Sequence, residues 1–245
     1  MKTQSNRRAL SFLVVLGLLT GSSACNSPQG SGSAGDAAAD GTPQVDPADF
    51  VAVVDNPFFP LTPGTMRVYE GEKPDGLERV EVLVTDDTRE ILGVTCTVVR
   101  DTVALDGETI EDTFDWYAQD RDGNVWYFGE DSRELEDGQV VSTEGSWEGG
   151  VDGAQPGIVM PADPQIGDVF QQETAPGVAE DRGEVVSLTE SVTVPFGSFD
   201  DCLQTRDFTP LDPGVNEFKF FCPGVGEVLT REEEADVELI GVEEQ

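Results

Sequence analysis

The sequence predicts an all-β protein: a single antiparallel domain of two similar meander repeats, closed as a sandwich, a barrel or a half-barrel. Three observations lead there. Short runs rich in β-branched and aromatic residues recur between Gly, Pro, Asn and Asp turns. No long segment holds a helical apolar period between caps. The pattern of the first half also returns, in order, in the second.

The N-terminus comes first. Lys2, Arg7 and Arg8 precede the apolar run ALSFLVVLGLLTG, which ends in GSSA before Cys25. That is the layout of a signal peptide over residues 1–24, and the run is too short for a membrane-spanning helix. A cysteine at this point predicts a lipobox, with a lipid on Cys25 as the membrane anchor. Ser22 departs from the usual Leu, and the rival reading is ordinary cleavage after Ala24 into a fully secreted chain. Residues 25–48 then carry Gly, Ser, Ala, Pro and Asp with almost no large apolar side chain, the composition of a flexible tether. The 197 residues from 49 to 245 suit one domain.

Within it, RVEVLV (79–84), CTVVRDTV (96–103), NVWYF (124–128) and FKFF (218–221) read as strands. Pro60-Leu-Thr-Pro-Gly64 is echoed by Pro164-Gln-Ile-Gly167, and RVEVLV at 79 by RGEVVS at 182. GVTCTVVRD (93–101) returns as GSFDDCLQTRD (197–207), both with Cys-x3-Arg-Asp. DTFDWYA (112–118) returns as NEFKFFC, and GNVW (123–126) as GEVL (226–229). This defines repeats at 57–131 and 161–232, joined by a Gly-rich connector over 132–160. Exported proteins fold in oxidising surroundings. Pairing about the LDPG turn (211–214) brings Cys202 opposite Cys222, which predicts that disulfide and leaves Cys96 reduced. A Cys96–Cys202 bridge between equivalent points is the rival.

The stretch FDWYAQDRDGNVWYFGED (114–131) sets aromatic residues among acids. The second copy keeps the aromatics and loses the acids, so the aromatics belong to the scaffold. Alternation puts Phe114 and Trp116 on one face and Asp115 and Tyr117 on the other. Asp120-Arg-Asp122-Gly-Asn124 opens like an EF-hand loop, but Val125 stands where that loop needs Gly and Asp131 where it needs Glu. A hairpin turn accounts for the same residues. Asp115 and Lys219 occupy equivalent places with opposite charge, and Lys73 and Lys219 are the only lysines after residue 24. Asp115, Lys219, Trp116 and Tyr117 are therefore the candidate ligand-binding residues, with the first two meeting as a polar floor. The rival is that both point to water and never meet.

The chain carries a net charge of −35. Residues 1–24 hold three basic side chains and no acid, which leaves the remainder at −38. Nucleic acid is a poor partner for such a surface. With no His in the chain, Ser-His-Asp, Cys-His and His-based zinc chemistry are excluded. No nucleotide-binding Gly motif occurs. No catalytic residue, metal site or cofactor is expected.

NPFFPLTPGT, DWYAQDRDGNVWYFGED, GSWEGGVDGAQPGIVMPADP and TPLDPG resemble a family of uncharacterised bacterial secreted proteins and lipoproteins, over nearly everything after residue 55. The resemblance implies a signal or lipid anchor followed by one β domain, and no activity. Relatives often carry His where this chain has Phe218 or Val178, so no His-based metal role carries over. The expectation is an exported, monomeric lipoprotein of the cell envelope. Its non-catalytic β domain is expected to bind a small or apolar ligand. The alternatives are a structural or interaction module without a small ligand, and a carboxylate-based glycan hydrolase.

Overall fold

The computed structural model describes residues 45–214, 216–232 and 235–245. The expected signal peptide, Cys25 and the tether up to residue 44 lie outside the described residues. Residues 45–48, expected in the tether, belong to the ordered domain: Val45 packs on it, and Asp46 caps a 3-10 turn at Pro47–Asp49. All other regular structure in the described residues is strand.

After β1 (Phe50–Val51), the first meander runs through β2 (Thr65–Lys73), β3 (Gly76–Ile91), β4 (Val94–Leu105), β5 (Glu108–Asp120) and β6 (Val125–Asp131). The connector holds β7 (Glu134–Glu136), β8 (Gln139–Ser142), β9 (Trp147–Glu148) and β10 (Gln155–Met160). The second copy holds β11 (Val169–Gln171), β12 (Glu173–Thr174), β13 (Arg182–Val194), β14 (Gly197–Phe208), β15 (Glu217–Cys222), β16 (Gly226–Arg231) and β17 (Asp236–Glu244).

All pairings are antiparallel, and they come close to closing a ring. β10 follows β6 in the sheet as β17 follows β16. β17 then pairs with β2, while β10 pairs with β12 and β11 with β13. The sheet is thus a nearly closed barrel of two like halves. Each half runs one strand further than the sequence repeat, because β10 and β17 share the role but not the residues. The repeat extends to single hydrogen bonds. Gly64 and Gly167, at φ +82° and +91°, each donate 2.8 Å bonds, to the Val84 and Val185 carbonyls. Both glycines hold a left-handed backbone that a side chain would strain.

The seam where the halves meet is tight. A Cβ on Gly157 in β10 would come within 2.4 Å of the Gln171 and Gln172 carbonyl oxygens. These are backbone atoms and cannot yield without parting the strands. Gly157→Ala is therefore expected to cost about 3 kcal/mol in urea unfolding. A cost under about 1 kcal/mol would mean that the seam is loose.

Both faces of the strands are buried in places. The tip of the β3–β4 hairpin, through Ile91 and Val94, packs with Cys96, Trp116, Ala118, Trp126 and Phe128. Phe50 adds edge contacts to Trp126 and Phe128 at 5.9 and 5.5 Å. In the second copy Val192 and Val194 at the β13–β14 tip pack with Phe220, Leu229 and the two bridged cysteines. Cys202 and Cys222 form the disulfide with Cα atoms 4.2 Å apart, and Cys96 is a buried free thiol. Its partner position holds Ala118, so the equivalent bridge is absent in the first copy.

Candidate functional site

Inside the barrel, inward positions of β4, β5, β14 and β15 carry polar side chains. Val99 faces Asp115 and Asp101 faces Thr113 across β4–β5; Thr205 faces Lys219 and Asp207 faces Glu217 across β14–β15. The four positions correspond one to one between the copies. Asp101, Asp115, Asp207 and Lys219 line one cavity of about 80 Å³, together with Tyr117 and Glu227.

The segment Asn56–Leu61 covers this cavity. Gln119 Oε1 accepts the backbone N–H groups of Asp55 and Asn56 at 2.9 and 2.8 Å. The Asn56 amide donates to the Gly123 carbonyl at 2.9 Å, and Gly224 N–H donates to the Pro57 carbonyl at 2.7 Å. The cover is thus tied to the β5–β6 turn of one copy and the β15–β16 turn of the other. Arg67 clamps it by donating to Pro60 O and Val225 O at 2.8 and 2.7 Å. The Phe59 ring lies 5.3 Å from that of Tyr117 and 6.3 Å from that of Phe221.

The charges in the interior are unevenly matched. Lys219 Nζ lies 3.2 Å from Asp207 and 3.9 Å from Glu217. Asp207 is further held by Thr205 at 2.9 Å and Gln172 at 3.2 Å. Burial pushes the Lys219 ammonium down, but Asp207, Glu217 and Glu227 together outweigh it and the net shift is upward. Glu217 and Glu227 are both pushed up to about 7, by burial first, with Lys219 opposing. Lysine up and acids up is consistent physics: one ammonium stays charged but cannot offset three carboxylates.

Asp115 accepts a 2.6 Å hydrogen bond from the Tyr127 hydroxyl. Burial raises its carboxyl to about 7, the tyrosine opposes, and Glu111 adds to the rise. Asp101 is pushed well above the usual carboxylate range by burial and then by Asp115. Its Oδ1 is shut off from solvent and has no hydrogen-bond partner. Beyond them Glu130 and Glu173 are buried, with carboxyl oxygens that also lack partners. Trp147 and Asp181 lie close enough to Glu173 to bear on its charge, yet no hydrogen bond of good geometry forms. Lys73, the other lysine of the described residues, is half-buried, 2.6 Å from Glu232 and 3.6 Å from Glu78.

Of the sequence candidates, Asp115, Tyr117 and Lys219 converge on the cavity. The close partners of Lys219 nevertheless include Asp207 and Glu217 of its own copy, and those that govern the charge of Asp115 are Tyr127 and Glu111. Trp116 does not line the cavity. It sits on the outer face of β5 beneath the β3–β4 tip, with the Arg89 guanidinium 4.0 Å from its ring centre. Sequence reasoning missed Asp101, Asp207, Glu227 and the covering segment. The shared Cys-x3-Arg-Asp motif did contain the first two. Asp120 proves to be a turn residue: its carboxylate accepts from Asn124 N, Asn124 Nδ2 and Trp126 Nε1 at 2.9, 2.8 and 2.8 Å.

Chemically, the cavity is about half the ~150 Å³ that admits benzene, so a sugar ring does not enter it as it stands. Among the described residues no group of three or more His, Cys, Asp or Glu is arranged to hold a metal ion. What the site offers is a partly open, largely apolar cavity whose wall also carries the carboxylates of Asp101, Asp115, Asp207 and Glu227 and the cations of Lys219 and Arg67.

No family model and no curated protein matches the chain. Among solved structures, one similar chain is a Parabacteroides distasonis ATCC 8503 protein described as a candidate lipoprotein. It has 13% sequence identity and a TM-score of 0.41, covering 76% of this chain and 98% of that one. So loose an overlap carries nothing over to this chain.

Proposed function

We propose that the chain is an exported protein, anchored through Cys25, whose barrel is a non-catalytic binding domain for a small polar ligand. The observation that carries this reading is the interior cavity of about 80 Å³ lined by Asp101, one of whose carboxyl oxygens has no hydrogen-bond partner. A buried polar atom left unpaired costs about 1–3 kcal/mol, which a bound group would recover. The apolar side chains of Leu61, Val82, Val99 and Phe221 make up much of the wall, so the ligand's body is held by apolar contact and its polar group by the acids. The signal-like N-terminus and Gly-Ser-Ala tether support the anchor.

Native mass spectrometry of protein purified from its own host tests the binding. The expected result is an excess mass that disappears on denaturation; identical native and denatured masses would favour the structural-module alternative. The same denatured mass tests the anchor: an unmodified N-terminal Cys25 in protein that stays wholly aqueous on detergent partition would overturn it.

A further inference from the structure

The two halves of the barrel differ at one point, and that difference indicates what is bound. In the second half, Lys219 lies diagonally across the β14–β15 register from Asp207 and pairs with it at 3.2 Å. In the first half the same diagonal joins Asp115 to Asp101. An acid thus stands where its counterpart supplies an ammonium, and the Asp101 oxygen has no partner. All four side chains line the cavity, together with Arg67 and a largely apolar wall.

We propose that Asp101 and Asp115 receive the ammonium group of a small organic cation, which completes in the first half the ion pair that Lys219 makes in the second. This rests on the reading of the barrel as a binding domain and names the group it recognises. A cavity about half the size needed for benzene limits the guest to roughly three non-hydrogen atoms. An ammonium suits the site better than a divalent metal, since it needs hydrogen-bond acceptors on one side rather than a shell of oxygens. The Tyr127 hydroxyl, already committed to Asp115, holds one carboxylate in place. Asp101 supplies the free acceptor.

Thermal unfolding of the mature protein at pH 8 tests this, with methylammonium, sodium, potassium or tetramethylammonium chloride at equal ionic strength. Samples are equilibrated overnight, because Phe59 and Leu61 cover the cavity. Methylammonium is expected to raise the midpoint by about 5 °C over sodium at saturating concentration. Tetramethylammonium, too large to enter, is expected to match sodium. An equal rise with potassium would assign an alkali ion and overturn the ammonium. No rise over sodium would overturn it too. If the native spectrum then still held a neutral or anionic compound, the binding reading would stand alone.

Asp115→Lys supplies the ammonium from the chain itself. It is expected to raise the midpoint without any addition and to abolish the methylammonium response. A folded Asp115→Lys that keeps the response would misplace the site. Asp101→Asn removes the free acceptor's charge with little change of shape. It is expected to weaken the response at least tenfold in concentration, and an unchanged response would overturn the proposal even where Asp115→Lys fails to fold.

Discussion

Lys219→Met is expected to destabilise the barrel by about 4 kcal/mol at pH 8, and by about half of that at pH 5. Removing one partner of a buried ion pair leaves the other charge uncompensated, at a cost of about 3–5 kcal/mol. Here Asp207, Glu217 and Glu227 lose a shared cation at once. At pH 5 the comparison changes, because Glu217 and Glu227 are pushed up to about 7 and already hold protons in the folded state. Fewer charges then depend on the lysine. Urea unfolding of both proteins at the two pH values checks this. Adding Asp207→Asn to Lys219→Met should recover part of the loss, since the pair is then removed together. Equal losses at both pH values, or none, would mean that the ammonium is not the counter-ion of this cluster.

The second large effect is on pH itself: the wild type is expected to be most stable near pH 5 and to lose on the order of 5 kcal/mol by pH 8. Burial raises Glu78, Asp115, Glu217 and Glu227 to about 7, and Asp181 to about 6. Asp101, Glu130 and Glu173 also rise well above the carboxylate range. A group whose folded pKa is raised binds its proton more tightly in the folded chain. Its contribution is full below the unfolded value near 4 and is lost as pH climbs through about 7. Lys73 and Lys219 face these acids and temper the loss without reversing it. The overall negative charge acts in the same direction, because self-repulsion falls as acids protonate. Below about pH 4 surface carboxylates in general protonate and lose ion pairs worth roughly 0–1 kcal/mol each, so the curve turns down again. Urea midpoints from pH 4 to 9 at constant ionic strength decide it, and a profile that is flat or rises toward pH 8 would refute it.

Much of the architecture was legible because antiparallel meanders are local. Residues 79–84, 96–103 and 125–128 lie on strands as expected, with Asn124 left in the turn, and Cys202 met Cys222 because the intervening turn fixes their register. The shared wording of the two halves singled out Asp115 and Lys219. What joins β17 to β2 was not readable, since that pairing is long-range and leaves no shared wording. The alternation along β5 was also ambiguous. Glu111, Thr113, Asp115, Tyr117 and Gln119 form its polar row, and a polar row ordinarily faces water. Here it is buried, and the aromatic row with Trp116 is buried as well, under a folded-over hairpin tip. One strand with two buried faces gives no clue as to which is the interior. Among 49 acids, no composition argument could have picked out the few that line the cavity.

The pairing of β2 with β17 sets the timetable of folding. Thr65 bonds into register with Glu244, so the first long strand must wait for nearly the last residues before its outer side is satisfied. As the chain emerges N-terminus first, the opening meander can assemble from neighbours, but it carries an unpaired edge until the end of the chain arrives. Such distant contacts slow folding and prolong the time in which edges can pair with other chains. A chain cut before Asp236 would keep that edge permanently, and its failing would be aggregation during synthesis rather than loss of any single contact.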